Sequence, residues 1–503
     1  MTNEQKKAQR PIALVVLDGW GYREDREHNA VAAASTPNFD RIWASYPKTL
    51  LKAGEEAVGL PEGQVGNSEV GHTTIGAGAI LDTDLVRIGK SAATGGFAEN
   101  PAFVAAFDAV KAKGTRLHAL ALVGPGGVHA HDSHLFAFLR AAKSHGVSNV
   151  VIHAFTDGRD TPPKESANYL ATLERELAEV GVGAIATVTG RYYAMDRDKN
   201  WERVEKAEAA LFLCEGNVCK IGAAAHLASL YDEEVLDEHV EPFVTMDAPI
   251  AKGDSVVFLN FRSDRARQLT ERIFARKDEL DLTVVTMTQY AEGYPVLVAF
   301  PPKVVETTLA AQVSAAGFSQ AHVAETEKFP HATYFLNGGR EAPHEREEHV
   351  LLDSRKDVKT HDEAPEMRAA DIALETAKRL DAGVDFVFVN IANADMVGHT
   401  AKPEAIKASV EAADAALGVI LEAVARNGGV TLVTADHGNA EVNVDLNGAP
   451  HTAHTLSPVP FVVVGAGDLS LRSGGGLADI APTTLALMGI PKPAPMTGES
   501  LIA

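Results

Sequence analysis

The segment from Val430 to Asn439 reads Val-Thr-Leu-Val-Thr-Ala-Asp-His-Gly-Asn. Its apolar, β-branched start is typical of a buried strand. Asp436 and His437 follow where that strand ends, and ligands of open α/β sheets bind outside the carboxyl ends of the strands. Because carboxylate and imidazole are both good metal ligands, the segment predicts a metal site at the edge of an α/β sheet.

Two further segments of the chain repeat this construction. The apolar run Ile12–Leu17 leads into Asp18, and the run from Phe386 to Asn390 leads toward Asp395, with His399 four residues later. Turns favour aspartate after any single strand, which is the alternative for each segment alone. Three such strand ends together favour a shared metal centre, to which His454 could add another imidazole.

A fourth motif is Gly66-Asn67-Ser68-Glu69-Val70-Gly71-His72. Ser68 precedes a helix-compatible stretch, so it is expected at a helix N-terminus, where backbone donors favour an anion. The ordinary role of a serine there is N-capping. Beside metal ions it becomes a candidate nucleophile, because a metal lowers the pKa of a bound hydroxyl. His72 and His451 receive no assigned role and are expected to support ligands or the fold.

The overall composition is that of a globular protein with a large core. The chain has 503 residues, which favours two domains, and 46% of them are hydrophobic and 23% charged. A net charge of −22 disfavours nucleic acid or an anionic membrane as a partner, so an anionic substrate would need a local arginine cluster.

The cysteines and the N-terminus indicate a cytoplasmic location. Cys214 and Cys219 fit neither a disulfide framework nor a zinc knuckle, which is typical of a reducing compartment. The polar N-terminus lacks the apolar core of a signal peptide, and no apolar run approaches the roughly 20 residues that span a bilayer.

Strand-like and helix-like segments alternate along the chain, which predicts parallel sheets covered by helices. The clearest helix is Pro403–Arg426, with apolar residues at steps of three and four. The other predicted helices are 101–113 and 164–180. The predicted strands are 117–123, 150–155, 184–188 and 255–259.

The ligand candidates lie near both ends of the sequence, at 18–68 and 395–454, whereas the middle lacks them. We therefore expect one discontinuous domain, 1–81 with 302–503, and an inserted domain, 82–301. Turn-forming residues at 76–78, 294–295 and 301–302 are the predicted connections.

Five arginines of the inserted segment lie in short motifs near predicted strand ends. Guanidinium groups bind carboxylate and phosphate in a bidentate manner, so the cluster predicts an anion site. The alternative for each is a solvated arginine paired with an acid such as Asp160, Asp196 or Asp264. The five are Arg159, Arg191, Arg197, Arg262 and Arg265.

Five motifs together resemble the cofactor-independent phosphoglycerate mutases in order and approximate spacing, from about residue 11 to the C-terminus. The motifs are Leu17-Asp18-Gly19-Trp20-Gly21, Gly66–His72, Thr156-Asp157-Gly158-Arg159-Asp160, Asn260-Phe261-Arg262-Ser263-Asp264-Arg265 and Thr434–Asn439. The resemblance implies an alkaline-phosphatase-like α/β domain with an inserted phosphotransferase domain. It also implies that the protein interconverts 3-phosphoglycerate and 2-phosphoglycerate through a phosphoserine at Ser68. The expected partner is therefore a small-molecule substrate.

The resemblance further implies the roles of individual residues. One metal is held by Asp395, His399 and His454, and the other by Asp18, Ser68, Asp436 and His437. Asp160 is implied as a general acid/base, His129 as a substrate-binding residue, and Lys328 as a bridge near the metals. Two Mn²⁺ ions are expected, with Mg²⁺, Co²⁺ and Zn²⁺ as alternatives, and the protein is expected to be a monomer.

Two other classes of function remain open on the sequence alone. A phosphopentomutase or phosphomonoesterase of the same superfamily would keep the metal ligands and Ser68 but would not need the arginine motifs. A metal-dependent binding protein without activity is the other alternative, and an intact Ser68 argues against it.

Overall fold

The computed structural model describes residues 9–445 and 447–503. It separates into two compact units, and each is described by itself. The first unit comprises the chain through Thr83 together with Val304–Ala503, and the second comprises Asp84–Lys303. The sequence prediction placed the two divisions after residues 81 and 301.

The strands are β1 (Ile12–Leu17), β2 (Lys48–Leu51), β3 (Leu117–Leu122), β4 (Val150–Thr156), β5 (Ala184–Gly190), β6 (Asn217–Val218), β7 (Phe243–Val244), β8 (Ser255–Phe258), β9 (Thr283–Thr288), β10 (Leu297–Phe300), β11 (Gln320–Glu325), β12 (Glu347–Leu352), β13 (Phe386–Ile391), β14 (Val430–Thr434) and β15 (Val459–Val464). The α-helices are α1 (Ala30–Ala33), α2 (Pro37–Ser45), α3 (Ser68–Ala77), α4 (Asp84–Ala93), α5 (Pro101–Lys113), α6 (Asp132–Ser144), α7 (Ser166–Val180), α8 (Arg191–Ala194), α9 (Trp201–Leu213), α10 (Ala223–Tyr231), α11 (Arg267–Phe274), α12 (Leu309–Ala315), α13 (Ala369–Asp381), α14 (Asn393–Gly398), α15 (Pro403–Arg426) and α16 (Ile480–Met488).

The first unit contains a sheet of strand order β12-β11-β13-β1-β14-β15-β2. Strands β12 to β14 of this order are parallel, whereas β15 and β2 pair in the antiparallel sense. Every residue of β1, β13 and β14 is buried, as expected of central parallel strands covered on both faces. Their carboxyl ends therefore lie side by side.

The second unit contains a sheet of order β10-β9-β8-β3-β4-β5-β7-β6, parallel from β10 to β5. Alternate residues of β3 pack into different hydrophobic clusters, Leu117 and Ala119 into one and Leu120 and Leu122 into the other. This alternation shows that both faces of the sheet are covered.

Most predicted elements are observed within two residues of their expected bounds, and Pro403–Arg426 is observed as predicted. The predicted connection at 76–78 is wrong, because Gly76 and Ala77 are buried in the last turn of α3 and Gly78 caps it. Among the described residues, no helix combines the length and the apolar character that a bilayer crossing requires.

Candidate metal centre and arginine cluster

The three central strands of the first unit carry acidic residues to one edge of the sheet. Val16 of β1 pairs with Asn390 of β13 and with Thr434 of β14, so the residues that follow these strands emerge together. Asp18 comes directly after β1, Asp436 lies two residues beyond β14, and Asp395 lies in α14. Gly19 permits this proximity, because a Cβ at its left-handed φ of 74° would lie 2.6 Å from the Asp395 Cα atom.

Ser68 is the first residue of α3. The cap of this helix is its neighbour Asn67, whose side chain accepts a hydrogen bond from the Val70 N–H at 3.0 Å. N-capping, the ordinary alternative for Ser68, is therefore not its role here. The buried Ser68 hydroxyl instead lies 3.0 Å from His437 Nε2 and 3.4 Å from Asp18 Oδ1.

Asp395, His399 and His454 form a compact triangle, here called the His399 set. The two Nε2 atoms are 3.2 Å apart and lie 3.3 and 3.1 Å from Asp395 Oδ1. Both Nδ1 atoms face backbone carbonyls, of Thr452 and Gly66, so both Nε2 lone pairs face the carboxylate. Three such atoms this close need a proton or a metal ion between them, and the spacing suits ligands of one metal ion.

Asp18, Ser68, Asp436 and His437 form a second group, the His437 set. His437 Nε2 lies 3.6 Å from Asp18 Oδ1 and 3.4 Å from Asp436 Oδ2. Asp436 Oδ1 accepts hydrogen bonds from the Gly19 and His437 N–H groups, whereas Oδ2 is buried without a hydrogen-bond donor. An orphaned carboxylate oxygen beside imidazole, carboxylate and hydroxyl donors fits a divalent metal.

The two sets border each other. The rings of His437 and His454 stack at 3.9 Å between centroids. Proximity alone groups His437 with Asp395 and His454, and His72 with Asp18 and Asp436. His437 belongs with Asp18 and Asp436, because its Nε2 atom also contacts Ser68. His72 is not a ligand, because both of its ring nitrogens lie within hydrogen-bond distance of other groups.

Lys328 joins the two sets. Its Nζ atom donates to Asp18 Oδ1 at 2.8 Å, to Ser68 Oγ at 2.6 Å and to Asp395 Oδ2 at 2.7 Å. Burial disfavours the charged amine, but Asp18, Asp395 and Asp436 outweigh burial and raise the pKa of Lys328. An ammonium group is thus held against the Ser68 hydroxyl.

The carboxyl groups respond differently to this environment. Burial and the neighbouring Asp436 raise the pKa of Asp18. Burial also acts on Asp395, but Lys328, His399 and His454 together outweigh it and hold the pKa of that carboxyl well below its usual range. At Asp436, His437 and His72 outweigh burial and lower the pKa. The centre therefore concentrates negative charge that one ammonium group only partly balances.

In the second unit, Arg191 follows β5 directly and is buried. It donates to Asp157, to Asp160 Oδ2 at 2.6 Å and to His129 Nε2 at 3.1 Å. Because His129 Nε2 accepts this bond, its proton lies on Nδ1, which is buried without a partner. Burial and Arg191 lower the pKa of His129 to about 4, so a neutral N–H donor is available to an anion.

The remaining four arginines surround this group. Asp264 pairs with both Arg197 and Arg262 at 3.1 Å, whereas Asp196, the sequence neighbour of Arg197, binds Arg203. Arg159 pairs with Glu238, and Arg265 donates to the Met195 carbonyl. Burial and repulsion from Arg191, Arg197 and Arg159 lower the pKa of Arg265, which places these guanidinium groups in one cluster.

The family model described as "BPG-independent PGAM N-terminus" matches residues 88–292. The chain is 47% identical to the 2,3-bisphosphoglycerate-independent phosphoglycerate mutase of Cyanothece sp., over 98% of this chain and 95% of that protein. It is 48% identical to that of Myxococcus xanthus, over 98% and 99%.

The chain belongs to the 2,3-bisphosphoglycerate-independent phosphoglycerate mutase family. A phosphoglycerate mutase structure from Leishmania mexicana, solved at low cobalt concentration, is similar over 98% of both chains, with 31% identity and a TM-score of 0.56. The family resemblance and the α/β class expected from the motifs are confirmed. Candidate groups of metal-binding residues are also present, as expected for this metal-dependent family.

Sequence reasoning missed several polar residues that contact the candidate ligands. Asn390 and Asn439 donate to Asp18 and Asp395, at 2.7 and 2.9 Å. Asp157 accepts from the N–H groups of Arg159 and Asp160 and so shapes the loop after β4. Asn439 and Asp157 lay within the motifs used to identify the family, whereas Asn390 lay in an apolar run without a local signal of function.

Proposed function

We propose that this protein interconverts 3-phosphoglycerate and 2-phosphoglycerate through a phosphoserine at Ser68. The observation that carries the proposal is the Ser68 hydroxyl, buried at a helix N-terminus among metal-ligand candidates and 2.6 Å from the Lys328 ammonium. Similarity to curated mutases over nearly the whole chain favours this activity over a phosphopentomutase or a phosphomonoesterase.

The residues present fit two divalent metal ions, for which we propose Mn²⁺. The His399 set would hold one ion and the His437 set the other, with Mg²⁺, Co²⁺ and Zn²⁺ as the alternatives for a mixed oxygen and nitrogen site. When bound, the metals neutralise phosphoryl charge and favour the deprotonated form of the Ser68 hydroxyl. The Lys328 ammonium adds a fixed positive charge at the same hydroxyl.

The proposed reaction consists of two phosphoryl transfers. Ser68 releases its hydroxyl proton to solvent and its Oγ atom bonds to phosphorus. The bond from phosphorus to the substrate oxygen breaks, and protonated Asp160 gives its proton to the departing glycerate oxygen. The glycerate reorients, its other hydroxyl gives its proton to Asp160, and that oxygen bonds to phosphorus as the Ser68 bond breaks. No water is consumed, so retention of glycerate separates a mutase from a phosphatase.

We assign this retention to the arginine cluster of the second unit. Its guanidinium groups offer bidentate contacts to a carboxylate and a phosphate, and the unpartnered Nδ1–H of His129 offers one more donor. The proposed partner is thus a small anionic molecule rather than nucleic acid or membrane. We further propose a cytoplasmic monomer, which sedimentation and cell fractionation would test.

A coupled assay on 3-phosphoglycerate tests the activity itself. It is run without 2,3-bisphosphoglycerate, on metal-free protein supplied with each divalent metal in turn. We expect turnover with Mn²⁺ and phosphate on Ser68 in acid-quenched samples. Absence of turnover with every metal would support the inactive binding protein, and release of phosphate without 2-phosphoglycerate would support a phosphatase.

Binding of Mn²⁺ is expected to weaken as the pH falls. In the metal-free protein the hydrogen bond to Asp395 raises the pKa of His399. At His454 the same carboxylate more than offsets the effect of burial, so the pKa of His454 is raised as well. A raised pKa means that protonation begins above the usual value of about 6.5, so protons compete with metal increasingly as the pH falls toward that value. Mn²⁺ titrations between about pH 8 and about pH 6 measure this.

The matching activity loss at mildly acidic pH is expected to be reversible, and additional Mn²⁺ is expected to restore part of it. If excess Mn²⁺ restores nothing, competition at the imidazoles is the wrong explanation. Protein kept at about pH 8 throughout is the control for irreversible loss.

Replacing Arg262 with alanine is expected to shift the enzyme toward phosphatase behaviour. A charge-assisted contact worth about 1.5–3 kcal/mol would be lost, or roughly ten- to a hundredfold in affinity for glycerate. Glycerate would leave before reorienting, and water would discharge the phosphoserine. The ratio of phosphate released to 2-phosphoglycerate formed should rise, and it should rise likewise for Arg265→Ala.

Arg140→Ala is the matched control, because Arg140 is an arginine of the same unit that pairs with Glu176 and is similarly exposed. Its ratio should equal that of the wild type. If Arg262→Ala lowers both activities together at a constant ratio, Arg262 serves the first transfer rather than retention.

A further inference from the structure

His72 and Asn390 are fully buried next to the His437 set, and the reaction proposed above does not use them. His72 lies one turn after Ser68 in α3, and Asn390 lies in β13. Burial of a polar side chain costs free energy unless it is hydrogen-bonded. Their hydrogen bonds lead to Asp18 and to the Ser68 carbonyl, and His72 also lies close to the Asp436 carboxylate.

Asn390 holds Asp18. Its Nδ2 atom donates one hydrogen to Asp18 Oδ2 at 2.7 Å and the other to His72 Nε2 at 3.0 Å. The reversed amide would place its oxygen against the Asp18 carboxylate, so the carboxylate fixes the orientation. With Oδ2 engaged in this way, Asp18 Oδ1 is the oxygen that faces Lys328 and Ser68.

The bond from Asn390 fixes the tautomer of His72. Because Nε2 accepts, the proton lies on Nδ1. Nδ1 lies 2.9 Å from the Ser68 carbonyl oxygen and 3.3 Å from Asp436 Oδ2. Both nitrogens are therefore engaged, and His72 has no lone pair left for a metal although it lies close enough to Asp18 and Asp436 to be one of their co-ligands.

We propose that Asn390 and His72 are positioning residues that orient Asp18, Ser68 and Asp436 to receive one of the two metals. The inference rests on the proposed metal centre. The register of the sheet supports it. Val16 of β1 lies between Asn390 of β13 and Thr434 of β14, and β1 and β14 lead to Asp18 and Asp436. Hydrogen-bonding partners of this kind typically contribute ten- to a hundredfold to metal affinity.

The test is a calorimetric titration of Mn²⁺ into metal-free protein in a His399→Ala background, where the His437 set remains complete. Asn390→Leu, of similar size, removes both hydrogen bonds, and His72→Phe keeps a ring but removes both nitrogens. Each is expected to weaken Mn²⁺ binding about ten- to a hundredfold. In an Asp18→Ala background, which reports the His399 set, neither change should alter affinity.

His72→Gln is a milder variant, because its side-chain oxygen still accepts from Asn390 while the contacts of Nδ1 are lost. We expect weakening of about a few-fold, less than for His72→Phe. Thr376→Val is the control. It removes another buried hydrogen bond of the first unit, from Oγ1 to the Ile372 carbonyl, and should leave Mn²⁺ affinity unchanged.

Far-UV circular dichroism and thermal unfolding identify the variants that fold. Wild-type Mn²⁺ affinity in every folded variant overturns the inference, and so does equal weakening at both sets, which indicates general support of the fold. If the wild type binds no divalent metal, the proposed function fails together with the inference. If Asp18→Ala removes Mn²⁺ binding at the His437 set but Asn390→Leu and His72→Phe do not weaken it, the proposed metal centre stands and only the inference fails.

Discussion

Turnover is expected to be abolished when Ser68 is replaced by alanine. The change deletes the oxygen that accepts the phosphoryl group, and loss of a covalent nucleophile typically costs roughly 10⁴-fold or more in rate. Only one oxygen of the His437 set is removed, so the fold and most of the metal affinity should remain. Steady-state assays and Mn²⁺ titration of the same preparation measure both effects.

Thr73→Ala is the control for Ser68→Ala. It removes a hydroxyl from the same helix, where Thr73 Oγ1 donates to the Glu69 carbonyl, and it should retain normal activity. Mass analysis of acid-quenched wild-type enzyme should place phosphate on the peptide that contains Ser68. Phosphate on a histidine instead, or appreciable turnover by Ser68→Ala, would contradict the proposed mechanism.

The ligand candidates were predictable because their positions follow from chain geometry. Strands that are apolar throughout are central and parallel, and the residues after them emerge at one edge of the sheet. Asp18, Asp395 and Asp436 each follow such a strand. Asp395 contacts Lys328, Asp18 contacts His437 and Ser68, and His437 also acts on Asp436. The sequence predicted the candidate centre without any knowledge of the pairing register.

The hydrogen-bonding support of that centre was not predictable in the same way. Asn390 lies in β13, whose other residues are all apolar, so the sequence pattern of this strand indicates only that it is buried. Its contact with Asp18 depends on the register of β13 against β1, which hydrophobic pattern leaves open for strands buried on both faces. The pair of Arg197 with Asp264 likewise joins residues 67 positions apart, although Asp196 lies next to Arg197, so sequence proximity does not identify the partner.

The cap of α3 shows how local chemistry can favour the wrong neighbour. Asparagine and serine are both good N-caps, so Asn67-Ser68 admits two helix starts that differ by one residue. The structure places the cap at Asn67, which leaves the Ser68 hydroxyl free to face His437 and Lys328. A one-residue difference in the helix start thus separates a structural serine from a candidate nucleophile.

Replacing Lys328 with methionine is expected to lower kcat by about a hundred- to a thousandfold, the usual effect of losing one donor aimed at a developing charge. Methionine keeps much of the buried stem but removes the ammonium group from Ser68, Asp18 and Asp395. Lys328→Arg should not restore activity, because a planar guanidinium does not fit a site built around one compact Nζ atom.

The stability of Lys328→Met should depend on metal. Without metal, the variant leaves buried carboxylates without their ammonium partner, which typically costs about 3–5 kcal/mol. Bound Mn²⁺ would supply positive charge at the same carboxylates, so the loss of stability should be smaller in metal-loaded protein. Thermal unfolding of both forms measures the difference, with Lys492→Met, which removes a partly exposed pair with Glu499, as the control. An equal loss in both forms would mean that Lys328 stabilises the surrounding fold rather than balancing the charge of the metal centre.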